Sequence, residues 1–462
     1  MVLALAVVTL RLDARVVIDI NKGVMKPVYI AVDVFDPFSR LKDMFLDVLR
    51  NDLETTFLFK TIPQNAFMQR LGGMEDKPNF PLWKNINAQY LASVEITPSA
   101  GMINISLALY DVLSEKAVEM LSLSANASNW RKMAHLVANR IYERVTGERG
   151  YFDTQILYVS VQNGANTAKV HRLAIMDQDG FNHKFLTSGA NMVLTPRLSP
   201  NGNECSFFAY REKVVNGRRI PISASVYRLD LQNPSSPELI SNFNGMSYAP
   251  RYSPDGRLLI FSLSDRGSSS IYTINIKTKE LNRLTRGRCI DTSPCYSPDG
   301  KYIVFNSDRG GSQQLYIMDS DGSNVRRLSF SKGRYATPVW SPRGDWIAFS
   351  KFGKGMFCIG IIRPDGSCER MLASGYLTEG PSWSPNGRVL LFSHQDHAHK
   401  ERIYSVDITG YNKREIATPT NAVDPDWSKN NILLPGISPK VSRGKASANV
   451  TKAQRDNETF VE

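Results

Sequence analysis

From residue 196 onward the chain repeats one phrase: "PRLSPNG" at Pro196, "PRYSPDG" at Pro250, "PCYSPDG" at Pro294, "PVWSPRG" at Pro338, "PSWSPNG" at Pro381 and "PDWSKN" at Pro425. Successive copies start 54, 44, 44, 43 and 44 residues apart. A period near 44 that holds four short strand signals leaves little choice of fold. No unit of that kind can bury both its faces alone, so neighbours must stack around an axis as the blades of a β-propeller.

One unit shows how the residues make a blade. A first strand runs into the turn Ser297-Pro298-Asp299-Gly300, in which proline presets its own φ and glycine tolerates a positive one. "KYIVFNS" then reads as a second strand, "QLYIMDS" as a third after the reversal in "DRGGSQ", and "VRRLS" as a fourth after Asp321-Gly322. The same order recurs in "RLLIFSL", "SIYTINI", "LNRLT" and in "RVLLFSH", "RIYSVDI", "KREIA". Ahead of the first copy, "ILYVSV", "RLAIMDQDG" and "HKFLT" match strands two to four of a unit that lacks its first strand, and the sixth copy is a first strand with nothing after it. Residues 425–428 are therefore expected to complete the blade begun at residue 156, giving six blades with no open edge between the ends. A solenoid would carry caps at its ends rather than complementary half-units. The residue before each Ser-Pro (Leu198, Tyr252, Tyr296, Trp340, Trp383, and Trp427 in the last copy) is aromatic in all but the first. Its fixed place in the unit favours packing between blades over a ligand cage.

Residues 15–148 lack the repeat and read as a mixed α/β domain. In "SRLKDMFLDVLRNDL", Leu41, Met44, Phe45, Val48 and Leu49 recur at helical spacing; in "INISLALYDV", Ile103, Ile105, Leu107 and Leu109 alternate as in a half-buried strand. A second helix follows in "NWRKMAHLVANRIYERVTG", with Trp130, Met133, Ala134, Val137, Ile141 and Val145 on one side and Gly147 at its end. His135 lies beside that apolar face and reads as a packed histidine. The expected organisation is thus a signal segment at 1–14, an α/β amino-terminal domain at 15–148, an all-β six-bladed propeller of four antiparallel strands per blade at 149–428, and a disordered tail at 429–462.

The opening "MVLALAVVTL" is too short to span a bilayer and suits the apolar core of a secretory signal, although its basic leader is missing; a buried strand is the other reading. The net charge of +12 is spread without a basic run carrying interleaved aromatics, which argues for solubility and against nucleic acid as a partner. Cys205, Cys289, Cys295, Cys358 and Cys368 show no paired CxxC spacing, so neither a zinc ribbon nor a disulfide framework is implied. The cluster His394, His397, His399 with Asp396 is the one metal-like constellation, yet its place in the unit is that of the loop "SDRGGS" elsewhere. No cofactor is expected.

"RVVIDINKG", "LRNDLETTFLFKTIPQ", "VEITPSAGMINISLALYDVLSEKAV" and "NWRKMAHLVANRIYERVTGERGYFDTQILYV", followed by a six-fold "SPDG" propeller, together resemble the TolB family of the Tol-Pal cell-envelope system. The resemblance covers residues 15–428. It implies a noncatalytic periplasmic monomer that binds the lipoprotein Pal through the propeller and TolA through its amino terminus, with other outer-membrane proteins as further candidates. Maintenance of the outer membrane, envelope constriction at division and a link to protein import would follow. For TolA the matching segment is Arg15, Val16, Val17, Ile18, Asp19 and Ile20. For Pal the matching positions are Met246, Ala249, Thr292 and Ser293, flanked by Tyr248, Asp291, Tyr335 and Glu379. Met246 stands where the family has a histidine and Ser293 where it has a glutamate.

Topology puts the links between blades on one face, and their variation between units reads equally as recognition by a partner or as ordinary loop variation. Strand direction alternates, so the links from strand four to the next strand one emerge on the same face as the loops between strands two and three, opposite the Ser-Pro turns. On this face "NGMSYAP", "RCIDTSP", "GRYATP", "SGYLTEGP" and "TNAVDP" differ between units while the turns repeat. The extra residues of the longest unit, in "REKVVNGRRIPISAS", are expected as a loop there. Two other function classes stay open: a ligand-binding propeller of another kind, and a propeller gating a serine peptidase. Against the latter, nothing matches Gly-x-Ser-x-Gly.

Overall fold

The computed structural model describes residues 26–429, except 38–40, 100, 164–168, 216–217, 242, 244 and 266, together with 438–440. The chain divides into two compact units, one built from Pro27–Arg144 and the other from Val145–Leu433.

The first unit contains β1 (Val28–Phe35), α1 (Leu41–Glu54), β2 (Phe59–Thr61), α2 (Phe80–Asn85), β3 (Tyr90–Ser99), β4 (Met102–Asp111), β5 (Lys116–Asn126) and α3 (Trp130–Thr146). Its sheet runs β2-β1-β3-β4-β5, with β1 parallel to both neighbours and β3, β4 and β5 antiparallel. Helix α1 buries Phe45, Val48 and Leu49 as its spacing predicts, with Leu46 and Leu53 added. Met44 is instead exposed, because the buried stripe runs through Leu46, one position to the side. Helix α3 buries Met133, Ala134, Val137, Ile141 and Val145, while Trp130 in its first turn stays half-covered, and Gly147 at φ 75° ends it. His135 is packed in the core, its Nδ1 2.6 Å from Asp52 Oδ2. Ser438–Lys440 pair antiparallel with β5, so this part of the stretch expected as a disordered tail forms a strand. Residues 1–14 and the segment Arg15 to Ile20 lie outside the described residues.

The second unit is a propeller of six four-stranded antiparallel sheets. Strands β6 (Gln155–Asn163), β7 (Lys169–Asp177) and β8 (Lys184–Phe185) come first. Four strands each then form the next five blades, whose first strands are β9 (Val193–Leu198), then β10 (Met246–Tyr252), β11 (Thr292–Tyr296), β12 (Arg334–Trp340) and β13 (Leu377–Trp383). The final strand β14 (Asn421–Trp427) returns to pair with β6, with Val423 opposite Val159 and Trp427 opposite Ile156. The blade left incomplete at the start of the repeat is thereby finished by the last copy of the motif.

Turn chemistry explains why the phrase repeats. Ser297 Oγ accepts the Tyr302 N–H at 2.9 Å and donates to Asp299 Oδ1 at 2.6 Å, while the Gly300 N–H reaches the Ser297 carbonyl at 3.0 Å with Gly300 at φ 72°. Ser253 with Asp255 and Gly256, and Ser384 with Asn386 and Gly387, reproduce the same set. Each turn satisfies its own polar groups and so needs nothing from the rest of the blade. The aromatics before the serines pack between blades: Trp383 Nε1 donates to Val339 O of the preceding blade at 3.0 Å, and Trp340 stacks on Tyr302 at 6.4 Å. The extra residues after Tyr210 do not form a loop. Strands Glu204–Val215 and Arg218–Asp230 pair through Val215 and Arg218, because Val214, Val215, Ile220 and Ile222 give the insertion strand propensity of its own.

The start of this unit is fastened to the closing blades. Glu148 is gripped by Nε and Nη2 of Arg388 and by Arg343 Nη1 at 3.3 Å, and Asn386 Nδ2 donates to Arg149 O at 3.0 Å. Tyr151 meets Trp427 edge-on at 5.5 Å, and Trp427 Nε1 donates to Thr154 Oγ1 at 2.7 Å. Trp427→Ala is expected to remove about 3–5 kcal/mol of unfolding free energy. The check is the urea midpoint followed by circular dichroism; a loss below about 0.5 kcal/mol, the scale of an ordinary surface site, would mean that closure does not rest on this indole.

Candidate functional site

The six innermost strands β9 to β14 adjoin one another around the channel. Each enters from the end that carries the links between blades and leaves at the Ser-Pro turn. In each, the residue before the motif proline has a positive φ: Thr195 (43°), Ala249 (52°), Ser293 (54°), Thr337 (46°), Gly380 (67°) and Asp424 (52°). The pairing with the second strand slips at the same place, between Tyr248 and Arg251, Thr292 and Cys295, Ala336 and Val339, Glu379 and Ser382, and Val423 and Asp426. Proline cannot donate to the ladder, so a bulge falls where the sequence puts it. The freed N–H groups bond between blades: Ser293 to Ser262 Oγ (3.2 Å), Gly380 to Ser350 Oγ (3.2 Å), Asp424 to Ser393 Oγ (2.8 Å) and Thr195 to Asp424 Oδ2 (3.0 Å). A ring of bulges thus shapes the channel mouth.

Most of the residues singled out in the sequence stand on this ring. Met246 is exposed at 44%; Tyr248, Ala249, Thr292 and Ser293 are half-buried. Tyr248 donates its hydroxyl to Ser269 Oγ at 2.8 Å, and Thr292 Oγ1 accepts from Asn306 Nδ2 at 2.6 Å. Two of the eight are not surface groups. Asp291 is buried, and both its oxygens accept from Arg309 Nη2 at 3.0 Å. The Tyr335 ring is fully buried, its hydroxyl donating to Glu369 Oε1 at 2.6 Å beside Lys351. The sequence signal for them, a polar residue in a variable link, cannot distinguish a contact group from one that pins the link down.

Glu379 is open to the water of the channel mouth yet closely surrounded by protein. Burial first, and then the charge of Asp424, raise its pKa above the ordinary glutamate value. Four apolar residues on the same face were missed: Ile290, Phe330, Met356 and Tyr376, exposed at 39, 73, 49 and 49%. Ile290, Phe330 and Tyr376 lie in the links between blades and Met356 begins a third strand, so with Met246 they leave apolar area uncovered on this face. The available signal was a lone apolar residue amid glycine, serine and cations, as in "SFSKGR" and "GKGMF". The histidine loop belongs to this face too. His397 and His399 flank the Tyr376 ring at 5.3 and 6.2 Å, and His394 Nδ1 lies 2.9 Å from Thr378 Oγ1. The face offers contact area and shape.

Comparison with known proteins gives concordant results. Residues 142–431 match the family model described as TolB beta propeller domain, and residues 16–118 that described as TolB amino-terminal domain. A curated Tol-Pal system protein TolB from Rickettsia felis is 44% identical over 429 residues, covering 89% of this chain and 94% of that protein. The counterpart from Rickettsia conorii is 44% identical over 431 residues with the same coverage. The crystal structure of TolB from Acinetobacter baumannii superposes with a TM-score of 0.76 at 25% identity, over 87% of this chain and 97% of that one.

Two outcomes test this description of the mouth. Among the described residues no hydrogen bond engages the Ser293 hydroxyl, so Ser293→Gly should relieve the cost of a positive φ and raise stability by on the order of 1 kcal/mol, while Ser293→Val lowers it; thermal melts of both decide. Glu379 has a raised folded-state pKa, so its stabilising contribution is full below the unfolded glutamate pKa and is lost as pH rises through the folded value. Glu379→Gln should therefore melt higher than wild type at neutral pH, and the gain should vanish below about pH 4. A gain that persists unchanged at acidic pH would overturn the assignment.

Proposed function

This chain belongs to the TolB family, and on that premise we propose that it acts as a noncatalytic periplasmic adaptor of the Tol-Pal system, with the channel-mouth face of its propeller binding the lipoprotein Pal. One observation carries the reading. Exposed apolar side chains (Met246, Ile290, Phe330, Met356, Tyr376) stand on the same face as the small residues Ala249, Thr292 and Ser293 of the mouth. Apolar groups left uncovered around a recess, with polar groups behind them, are what a protein partner can bury. Asp291 and Tyr335 act from behind: Arg309 and Glu369 hold them, and they hold the links that present the contact residues.

The amino-terminal segment Arg15 to Ile20 engages TolA in this reading. Its support is the pattern of Val16, Val17, Ile18 and Ile20, which suits an extended strand added to a sheet edge, with main-chain bonds supplying affinity. Bridging two envelope proteins gives the chain its part in outer-membrane integrity and in constriction at division.

Ala249→Arg would bury an unpaired guanidinium in the Pal complex, and Met246→Asp a carboxylate; each should weaken Pal binding at least about a hundredfold. Asp299→Arg, at a Ser-Pro turn on the far face, should leave it unchanged. Calorimetry on variants of equal melting temperature is the measurement, and wild-type affinity in both mouth variants would refute the proposed face. Deleting residues 15–20 should abolish capture of TolA and spare Pal binding; undiminished capture by the folded, shortened chain would exclude that segment.

A further inference from the structure

Within the repeated Pro-x-x-Ser, the position just after the proline is the one that is never settled: Arg197, Arg251, Cys295, Val339, Ser382 and Asp426. All six line one cavity of about 310 Å³ at the Ser-Pro-turn end of the channel. Its remaining wall is made by the residue that follows each of them, aromatic in five blades, and by the prolines of the turns. The scaffold of the motif is thus held constant while the lining of this chamber varies, which gives it a chemistry of its own.

That chemistry is cationic. The Arg197 side chain is buried, and its Nη1 donates to Pro196 O at 2.7 Å, but its Nε lies 3.9 Å from Asp426 Oδ1, too far for a hydrogen bond. The Asp426 carboxylate is engaged elsewhere: Oδ2 accepts the Leu198 N–H at 2.8 Å and Oδ1 the Ser382 hydroxyl at 3.1 Å. Arg251 lines the same chamber, and among the described residues neither a hydrogen bond nor an ion pair engages its guanidinium. Two guanidiniums therefore face one carboxylate, and Lys429 adds a third cation to the lining. Burial, and then the neighbouring Arg251, pull Arg197 down to about 10, against the attraction of Asp426, which leaves it charged at neutral pH.

The walls carry little polarity to compete. Trp340, Trp383 and Trp427 have already committed their indole N–H groups, to Gly344 O, Val339 O and Thr154 Oγ1 respectively. They present ring surface to the chamber.

We propose that this chamber binds a small organic anion, a carboxylate or phosphate monoester on a flat apolar body, with its charged group between Arg197 and Arg251 and its body against the aromatic wall. Guanidinium donors match planar or tetrahedral oxyanions in fork geometry, and the volume lies at the lower end of the range of about 300–1,000 Å³ for small-molecule sites. The site is at the opposite end of the channel from the face assigned to Pal and does not depend on that assignment.

The test titrates the full chain with benzoate, phenyl phosphate and, as the charge-reversed control, benzylamine, followed by calorimetry and by indole fluorescence. Benzoate and phenyl phosphate should saturate and shift the emission of the lining tryptophans, and benzylamine should do neither. Arg251→Gln should weaken the anions by about tenfold or more, and Arg251→Lys by less. Because among the described residues no hydrogen bond or ion pair engages the Arg251 guanidinium, its variants should melt like wild type without ligand. Absence of saturable binding up to about 10 mM, equal binding of benzylamine, or anion binding unchanged in Arg251→Gln would each overturn the proposal.

Discussion

Everything in the propeller depends on the pairing of β14 with β6. Gln155 and Ser428 are 273 residues apart, yet the Gln155 N–H donates to Ser428 Oγ at 3.0 Å, and Trp427 Nε1 to Thr154 Oγ1 across the same distance in sequence. Without that pairing two sheet edges would face solvent, and each blade beside the gap would lose the neighbour that covers one of its faces. The entropic cost of joining such distant segments grows only logarithmically with length, but it falls due before the contacts that offset it can form. This is why the closing strand carries so many bonds: Asp426 and Trp427 tie it to β9 on one side, to β13 on the other and to the segment ahead of β6.

Closure also explains the entry to the ring. Burial alone would raise the Glu148 carboxyl, but the hydrogen bond and charge of Arg388, reinforced by Arg343, outweigh it and hold its pKa below the ordinary value. Those arginines come from the turns "SPRG" and "SPNGR", so turn residues left undetermined by the turn itself anchor the start of the unit. The motif thus separates into two kinds of position. Ser, Pro, Asp or Asn and Gly build a self-satisfied turn, and the intervening positions are free to take on work that differs from blade to blade.

The two ends of the channel inherit different characters from this division. At one end bulges, positive φ values and small residues shape a mouth, on whose face apolar side chains remain uncovered. At the other, aromatic rings and prolines form a chamber whose charge is set by Arg197, Arg251 and Asp426. The same six strands make both, so a change in register would disturb the two together: a slip of one residue would turn Arg251 away from the chamber.

Blade number, strand order and the closing partner were legible in the sequence because each is a consequence of spacing and periodicity, which are local and repeat six times. The two long helices were legible for the same reason, as was the strand at Ile103 to Leu109. Membership of the TolB family was readable from motifs in both units. What the tertiary structure alone decided is which of the marked residues reach solvent. Asp291 and Tyr335 stand in the same kind of variable link as Thr292 and Met246, but Arg309 and Glu369, residues 18 and 34 positions away, draw them inward. Likewise Arg197 and Arg251 are two unremarkable cations until ring closure brings Asp426 beside them from 229 and 175 residues further along the chain. Local periodicity fixes the elements, whereas exposure and charge at a point in space depend on side chains that only the closed ring brings together.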